Sequence, residues 1–130
     1  MFENLDIMRM AHGLARHASD RQEIVARNVA NADTPGFRAR DLASFQQIYS
    51  DSDQGAGMRT TREGHLGAAD LGVPPAHLIE TPGEASPNGN TVSIETEIFK
   101  SAEIKSQHDR ATTIYKTSLD VLRTSLGRGR

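Results

Sequence analysis

From Ile7 to Ala32 one phase of the chain recurs at spacings of three and four: Ile7, Ala11, Leu14, Ala18, Arg21, Val25, Asn28 and Ala32. Met10, Ile24 and Val29 widen the stripe on its flanks. This periodicity, close to a heptad, predicts an amphipathic helix about 39 Å long. Gly13 inside it costs about 1 kcal/mol against alanine, so burial of the stripe, rather than intrinsic propensity, must hold the helix. A second periodic stretch follows Asn88-Gly89-Asn90, through Ile94, Ile98, Ala102, Lys105, His108, Ala111, Tyr115, Leu119, Leu122 and Leu126. Asn90 or Thr91 suits its N-cap, Glu95 and Glu97 complement its positive end, and Gly127 beside Arg123 and Arg128 marks its stop. At about 54 Å it far exceeds the usual globular helix of about 11–12 residues, and it needs a long partner. The expected fold is mainly all-α, with long terminal helices pairing as a coiled coil around an irregular middle.

That middle has a different character. Residues 51–89 hold seven glycines, four prolines and no aromatic residue, which predicts loop, with one or two short strands around Leu78-Ile79 or a short β-hairpin. Just before it, Asp41 to Tyr49 suits a short amphipathic helix with Leu42, Phe45 and Tyr49 on one side. The expected divisions are an axial helix over 1–33, a turn motif and short amphipathic segment over 34–50, the irregular 51–89, and a second axial helix over 90–130.

Composition sharpens the picture. Apolar residues make up 36% and aromatics 5% of the 130 residues, low against the roughly 45–50% apolar usage of a globular domain. The two stripes differ in length, so they leave apolar surface that only other chains can cover. A formal charge of −2 offers no field for a phosphate backbone, which argues against nucleic acid as a partner. The absence of cysteine removes disulfides and thiolate metal sites. No signal peptide opens the chain and no window reaches the ~18 apolar residues of a membrane span; export would need a route without a cleaved leader. The interspersed Arg9, Arg16, Arg21, Arg27 and Glu3, Asp6, Asp20, Glu23 make no basic face for a membrane surface. His12 and His17 lie five apart, about 140° around a helix, and do not converge on a metal as an i, i+4 pair would. No motif of a hydrolase, a nucleotide-binding loop or a metalloprotease is present, so neither catalytic residues nor a metal or cofactor is expected.

Where the first stripe ends the chain reads Arg-Asn-Val-Ala-Asn-Ala-Asp-Thr-Pro-Gly-Phe, residues 27–37. Thr34-Pro35-Gly36 suits a type II turn, since proline presets φ at its second position and glycine accepts a positive φ at its third. Asn28 falls on the apolar stripe, where its amide must find partners, and Asn28 and Asn31 are placed to bond the backbone of that turn. Phe37 would anchor the chain leaving it. An ordinary helix end followed by a Pro-Gly loop accounts for the same spacing.

The stretch ARNVANADTPGFRARD, residues 26–41, resembles the N-terminal signature of bacterial flagellar axial proteins, the rod, hook and hook-junction group: Asn28, Ala30, Asn31, Thr34, Pro35, Gly36 and Phe37 match its core. With the opening 45 residues, the stretch GNTVSIETE at 89–97 and the short length, the chain is most similar to the proximal rod proteins of that group. Ser93 departs from the usual Asp after GNTV. The resemblance implies a structural subunit, exported through the flagellar type III pathway and assembled in the periplasmic rod of the basal body. There it would transmit torque and enclose the export channel. Implied partners are copies of itself in a helical array, the other proximal rod proteins, the rod adaptor, the inner-membrane MS ring and the export gate. The assembly surface expected on this basis is Ile7, Met10, Leu14, Ala18, Val25, Val29, Ile94, Ile98, Ala102, Ala111, Tyr115, Leu119, Leu122 and Leu126. Arg21, Asn28, Lys105 and His108 on the same stripes suit either register fixing or simple exposure to lumen or solvent. A non-polymerising secreted helical adaptor of the export apparatus is the alternative reading.

Overall fold

The computed structural model describes residues 2–54, 77–81 and 83–127. In chain order they form helix α1 (Phe2–Ala30), strand β1 (Arg40–Leu42), helix α2 (Phe45–Gln54), strand β2 (Leu78–Glu80) and helix α3 (Ile94–Gly127). The fold is mainly helical, with two long terminal helices and one small antiparallel sheet. Residues 55–76 and 82, within the stretch expected to be irregular, lie outside the described residues.

Contacts give the helices their direction. Gln22 meets Ser101, Arg21 meets Glu103 and Asn28 meets Glu97, so α3 runs back antiparallel along α1. The buried face of α1 carries Ala11, Ala18, Val25 and Asn28, with Leu14 and Arg21 half-buried between them, and Ala32 half-buried just past the helix end. This is the phase that the apolar spacing predicts.

On α3 the phase differs. Its buried residues are Glu97, Ile104, Ala111 and Ser118, a strict seven-residue repeat, and of the expected stripe only Ala111 lies on it. Leu119 and Leu122 are half-buried, while Ala102, Lys105 and His108 are exposed; Ile94, Ile98, Tyr115 and Leu126 are exposed as well. The physical reason is chemical: Glu97 is drawn inward by Asn28 and Lys100. That choice rotates Ile94 and Ile98 outward.

Local signals set the helix ends. Ser93, rather than Asn90 or Thr91, caps α3: its Oγ accepts from the Thr96 N–H (3.4 Å) and its carbonyl from the Glu97 N–H (3.0 Å). Serine and aspartate are comparable N-caps, so the departure from the family residue leaves this end intact. The short helix α2 begins at Phe45 and not at Asp41, because Ser44 and Gln47 form a capping box: the Gln47 N–H donates to Ser44 Oγ (3.3 Å) and the Ser44 N–H to Gln47 Oε1 (3.2 Å). Leu42 therefore belongs to β1, where it is buried. Ile48 is the buried residue of α2, with Phe45 half-buried and Tyr49 exposed.

β1 and β2 pair antiparallel in the register Arg40 with Glu80, Asp41 with Ile79 and Leu42 with Leu78. Bonds from the Ala43 N–H to the His77 carbonyl and from the Thr81 N–H to the Ala39 carbonyl extend the ladder at both ends. Among the described residues no helix is long and apolar enough to cross a membrane.

Candidate functional site

The Thr34-Pro35-Gly36 motif lies at one end of the helical pair, and the chain closes there around asparagines. Asn31 Nδ2 donates back to the Arg27 carbonyl (2.8 Å), and the Asn31 N–H shares the Arg27 and Asn28 carbonyls, tightening the last turn of α1. The Phe37 N–H reaches the Thr34 carbonyl (3.3 Å) with Gly36 at φ 71°, the hydrogen bond and positive φ of a type II turn. A Cβ on Gly36 would meet no atom within 4 Å, so what restricts that position is its backbone angle and not its space.

The residue that holds this turn is Asn90. Its side chain is buried, and Nδ2 faces three carbonyls, of Asn31 (2.9 Å), Ala32 (2.8 Å) and Thr34 (2.8 Å). Its Oδ1 accepts from the Val92 N–H (2.7 Å). The carbonyls of the turn that follows α1 are thereby held by the strip of chain that opens α3, while the last carbonyls of α1 itself, those of Arg27, Asn28 and Val29, accept from the N–H groups of Asn31 and Ala32. Further bonds join the same strips: Gly36 N–H to the Asn88 carbonyl, Thr91 N–H to the Phe37 carbonyl, and Ala39 N–H to Thr91 Oγ1. Gly89, at φ 79°, lies under Gly36 with 3.5 Å between its would-be Cβ and the Gly36 Cα; two left-handed glycines thus stack where the strips cross.

Asn28 acts elsewhere. Its amide behaves as a strand neighbour of β1, donating to the Arg40 carbonyl (2.7 Å) and accepting from the Arg40 N–H (3.2 Å). The same Nδ2 donates to Glu97 Oε2 (3.0 Å), so one side chain binds α1 to both β1 and α3.

A charged cluster continues from it. Arg21 forms a two-pronged pair with Asp41, Nε to Oδ1 at 2.7 Å and Nη2 to Oδ2 at 3.0 Å. Lys100 lies between Asp41 (3.5 Å) and Glu97 (2.8 Å). Glu103 approaches Arg21 at 3.5 Å but is more than half exposed, where solvent screening leaves such a pair little strength. Burial by itself pushes the Asp41 carboxyl up, yet the hydrogen bonds from Arg21 and the Leu42 N–H, with the Arg21 and Lys100 charges, outweigh it and hold the group below the usual carboxylate range. The Asp41 hydrogen bond raises Arg21 in turn, against the opposing effect of burial.

His17 completes the junction. Buried on α1, it pairs Nε2 with the Ala43 carbonyl (2.9 Å) and packs its ring against Phe45, 5.8 Å between centroids. No group of three or more His, Asp or Glu side chains is placed to hold a metal among the described residues. The site is a mechanical joint, fixing two helices and a two-stranded sheet through paired polar groups.

Of the motif residues, Asn28, Asn31, Thr34, Gly36 and Phe37 make the contacts given above, and Pro35 is exposed at the turn's tip. Asn90, Asp41, Glu97 and Lys100 are structural members that the spacing argument misses. Asn90 stood in GNTV as a cap candidate, but its partners lie 56–59 residues away.

Comparison with known proteins agrees with this joint. The family model described as flagella basal body rod protein matches residues 13–38, which span the second half of α1 and the turn. A flagellar basal body rod protein FlgB from Agrobacterium fabrum is 33% identical over 116 residues, 87% of each chain. The chain belongs to the FlgB family of flagellar basal body rod proteins. Other members of this family include the Escherichia coli FlgB, 33% identical over 83% of this chain and 84% of its own, and that of Salmonella typhimurium, 28% identical over 92% of each. Family membership makes this a structural component of the basal body rod, and assembly with other rod components follows.

Proposed function

We propose that the chain is a proximal rod subunit that polymerises helically with its own copies and the other proximal rod proteins. In that array it transmits torque and bounds the export channel, contacting the rod adaptor, the MS ring and the export gate. It travels through the flagellar type III pathway and acts in the periplasm. The observation that carries this reading is the apolar surface the helix pair leaves open on α3: Ile98 is 62% and Phe99 78% exposed, Ile94 lies one turn before them, and Val121 and Leu126 are exposed near the opposite end. Large apolar groups at both ends of one rod-like body favour head-to-tail contacts, and such contacts make a helical filament when their rotation does not close. Close packing of the outer α3 faces in such an array would supply the stiffness that torque requires.

The test is a double substitution, Ile98→Asp with Phe99→Ser, at two side chains that the fold leaves mostly exposed. The variant should keep its helical circular dichroism and be exported, yet be absent from basal bodies imaged by electron microscopy. Rods of normal occupancy built from the variant would defeat the proposal. Cross-linking that returned one fixed stoichiometry with a partner, and no array, would favour the adaptor reading.

A further inference from the structure

The small sheet has two outer edges, and they are finished differently. Antiparallel pairing alternates, so with Asp41 opposite Ile79 as a hydrogen-bonded pair, the N–H and C=O of Arg40 and Leu42 point away from β2, and those of Leu78 and Glu80 away from β1. On β1 three of the four outward groups are taken: the Asn28 amide holds both Arg40 groups, and Asp41 Oδ1 accepts the Leu42 N–H at 2.8 Å. On β2 the backbone groups of Leu78 and Glu80 have no partner among the described residues. Leu78 and Ile79 are 58% and 48% exposed. The ladder runs over five residues, 77–81, and Glu80 is the one charged side chain on this edge, which carries neither lysine nor proline.

We propose that the outer edge of β2 is a docking site for an extended segment of a partner protein, added as a third strand, with Lys or Arg opposite Glu80 and an aliphatic residue opposite Leu78. The chemistry of the occupant follows from the strand β2 already holds. In the existing pair Arg40 stands opposite Glu80, and Arg38 reaches Glu80 at 3.9 Å. The Glu80 side chain is 64% exposed, so a cation from the other side has open access. Backbone bonds at Leu78 and Glu80 supply the attraction, and alternate side chains the selectivity, as in other strand-addition sites. This inference stands apart from polymerisation of the rod, since it is read on the single chain in solution.

The probe is a fluorescent peptide of residues 36–44, Gly-Phe-Arg-Ala-Arg-Asp-Leu-Ala-Ser, the sequence that β2 accepts within the chain, titrated into the full-length protein. Leu78→Pro removes the outward N–H and leaves the bonds of His77, Ile79 and Thr81 to β1 in place; it should weaken binding about tenfold or more. Exchanging both arginines of the peptide for glutamate should weaken binding to the natural chain, and Glu80→Lys, which alters no backbone bond, should reverse that order. Absence of binding to the natural chain overturns the proposal. Equal binding to the Leu78→Pro variant overturns it too, because the peptide would then be displacing β1 and not adding to β2. Sedimentation showing a dimer for the natural chain and a monomer for Leu78→Pro would replace the partner protein with a second copy as the occupant.

Discussion

At the turn end α1 and α3 meet through Asn28 and Glu97, with Arg21 and Lys100 joined through Asp41; further along, Ala18 and Val25 of α1 cluster with Ile104 of α3, and Ala11 and Ala111 are buried. Both contacts are buried, but they do different physical work. The polar end is directional: each hydrogen bond is satisfied in one register and lost in its neighbours, so it says which residue stands opposite which. The alanine end has no such preference. Its small side chains let the backbones approach closely, which sets the distance between the helices and excludes anything larger. A buried ionic group is weak evidence for added stability, since desolvation offsets most of the attraction. What Asp41 and Glu97 contribute here is alignment.

The largest expected effect comes from breaking the polar end. Asp41→Ala removes the anion that Arg21 and Lys100 share, leaving Lys100 with Glu97 and Arg21 with only the exposed Glu103, and should cost about 3 kcal/mol in urea unfolding. A cost below about 1 kcal/mol would show the cluster to be no more than a solvated ion pair. At the other end, Ala111→Leu forces a larger side chain into a position with 0% exposure and should cost about 1–3 kcal/mol. An unchanged midpoint there would mean that the two helices do not approach closely at Ala111. Smaller again is Gly36→Ala, about 1–2 kcal/mol from the left-handed backbone alone, measured as the shift in unfolding midpoint. Because a Cβ there meets nothing, a bulkier but unbranched residue should cost the same.

The comparison can also be sharpened with acid. The Asp41 carboxyl is held below its ordinary value in the folded chain, so the folded state binds fewer protons than the unfolded one across that window. The stability it contributes is present above the unfolded carboxylate pKa of about 4 and is lost as pH falls through the depressed folded value. Unfolding midpoints followed from pH 6 downward should therefore fall less steeply for Asp41→Asn than for the natural chain. Parallel curves would remove Asp41 from the account.

This contrast explains what could be read from the sequence. On α1 the apolar residues lie on the face that packs, so spacing alone locates Ala11, Ala18, Val25 and even the polar Asn28. On α3 the face is chosen by Glu97 and Lys100, whose partners lie on α1 and β1; the scattered aliphatics then mislead, and periodicity selects Ile94 and Ile98 in their place. The short helix is expected from Asp41 because Leu42 matches the helical spacing, which conceals both the strand and the capping box of Ser44 and Gln47 that starts α2. The part played by Asn90 had no local signature, because the three carbonyls it serves belong to a turn at the far end of the chain's numbering. Phe37 and Gly36 were legible for the opposite reason, since turn chemistry is local.

The pairing of β1 with β2 has one further consequence. Residue 42 and residue 78 stand side by side, so the two ends of the chain between them are tied together by the same ladder that Asn28 joins to α1. Lengthening a loop between those points leaves the strand pairing and both long helices in place, and doubling a flexible insert there adds only about 0.6 kcal/mol of closure entropy. The length of an insertion is thus uncoupled from the register of the helices, because one strand pair fixes where its ends begin and finish.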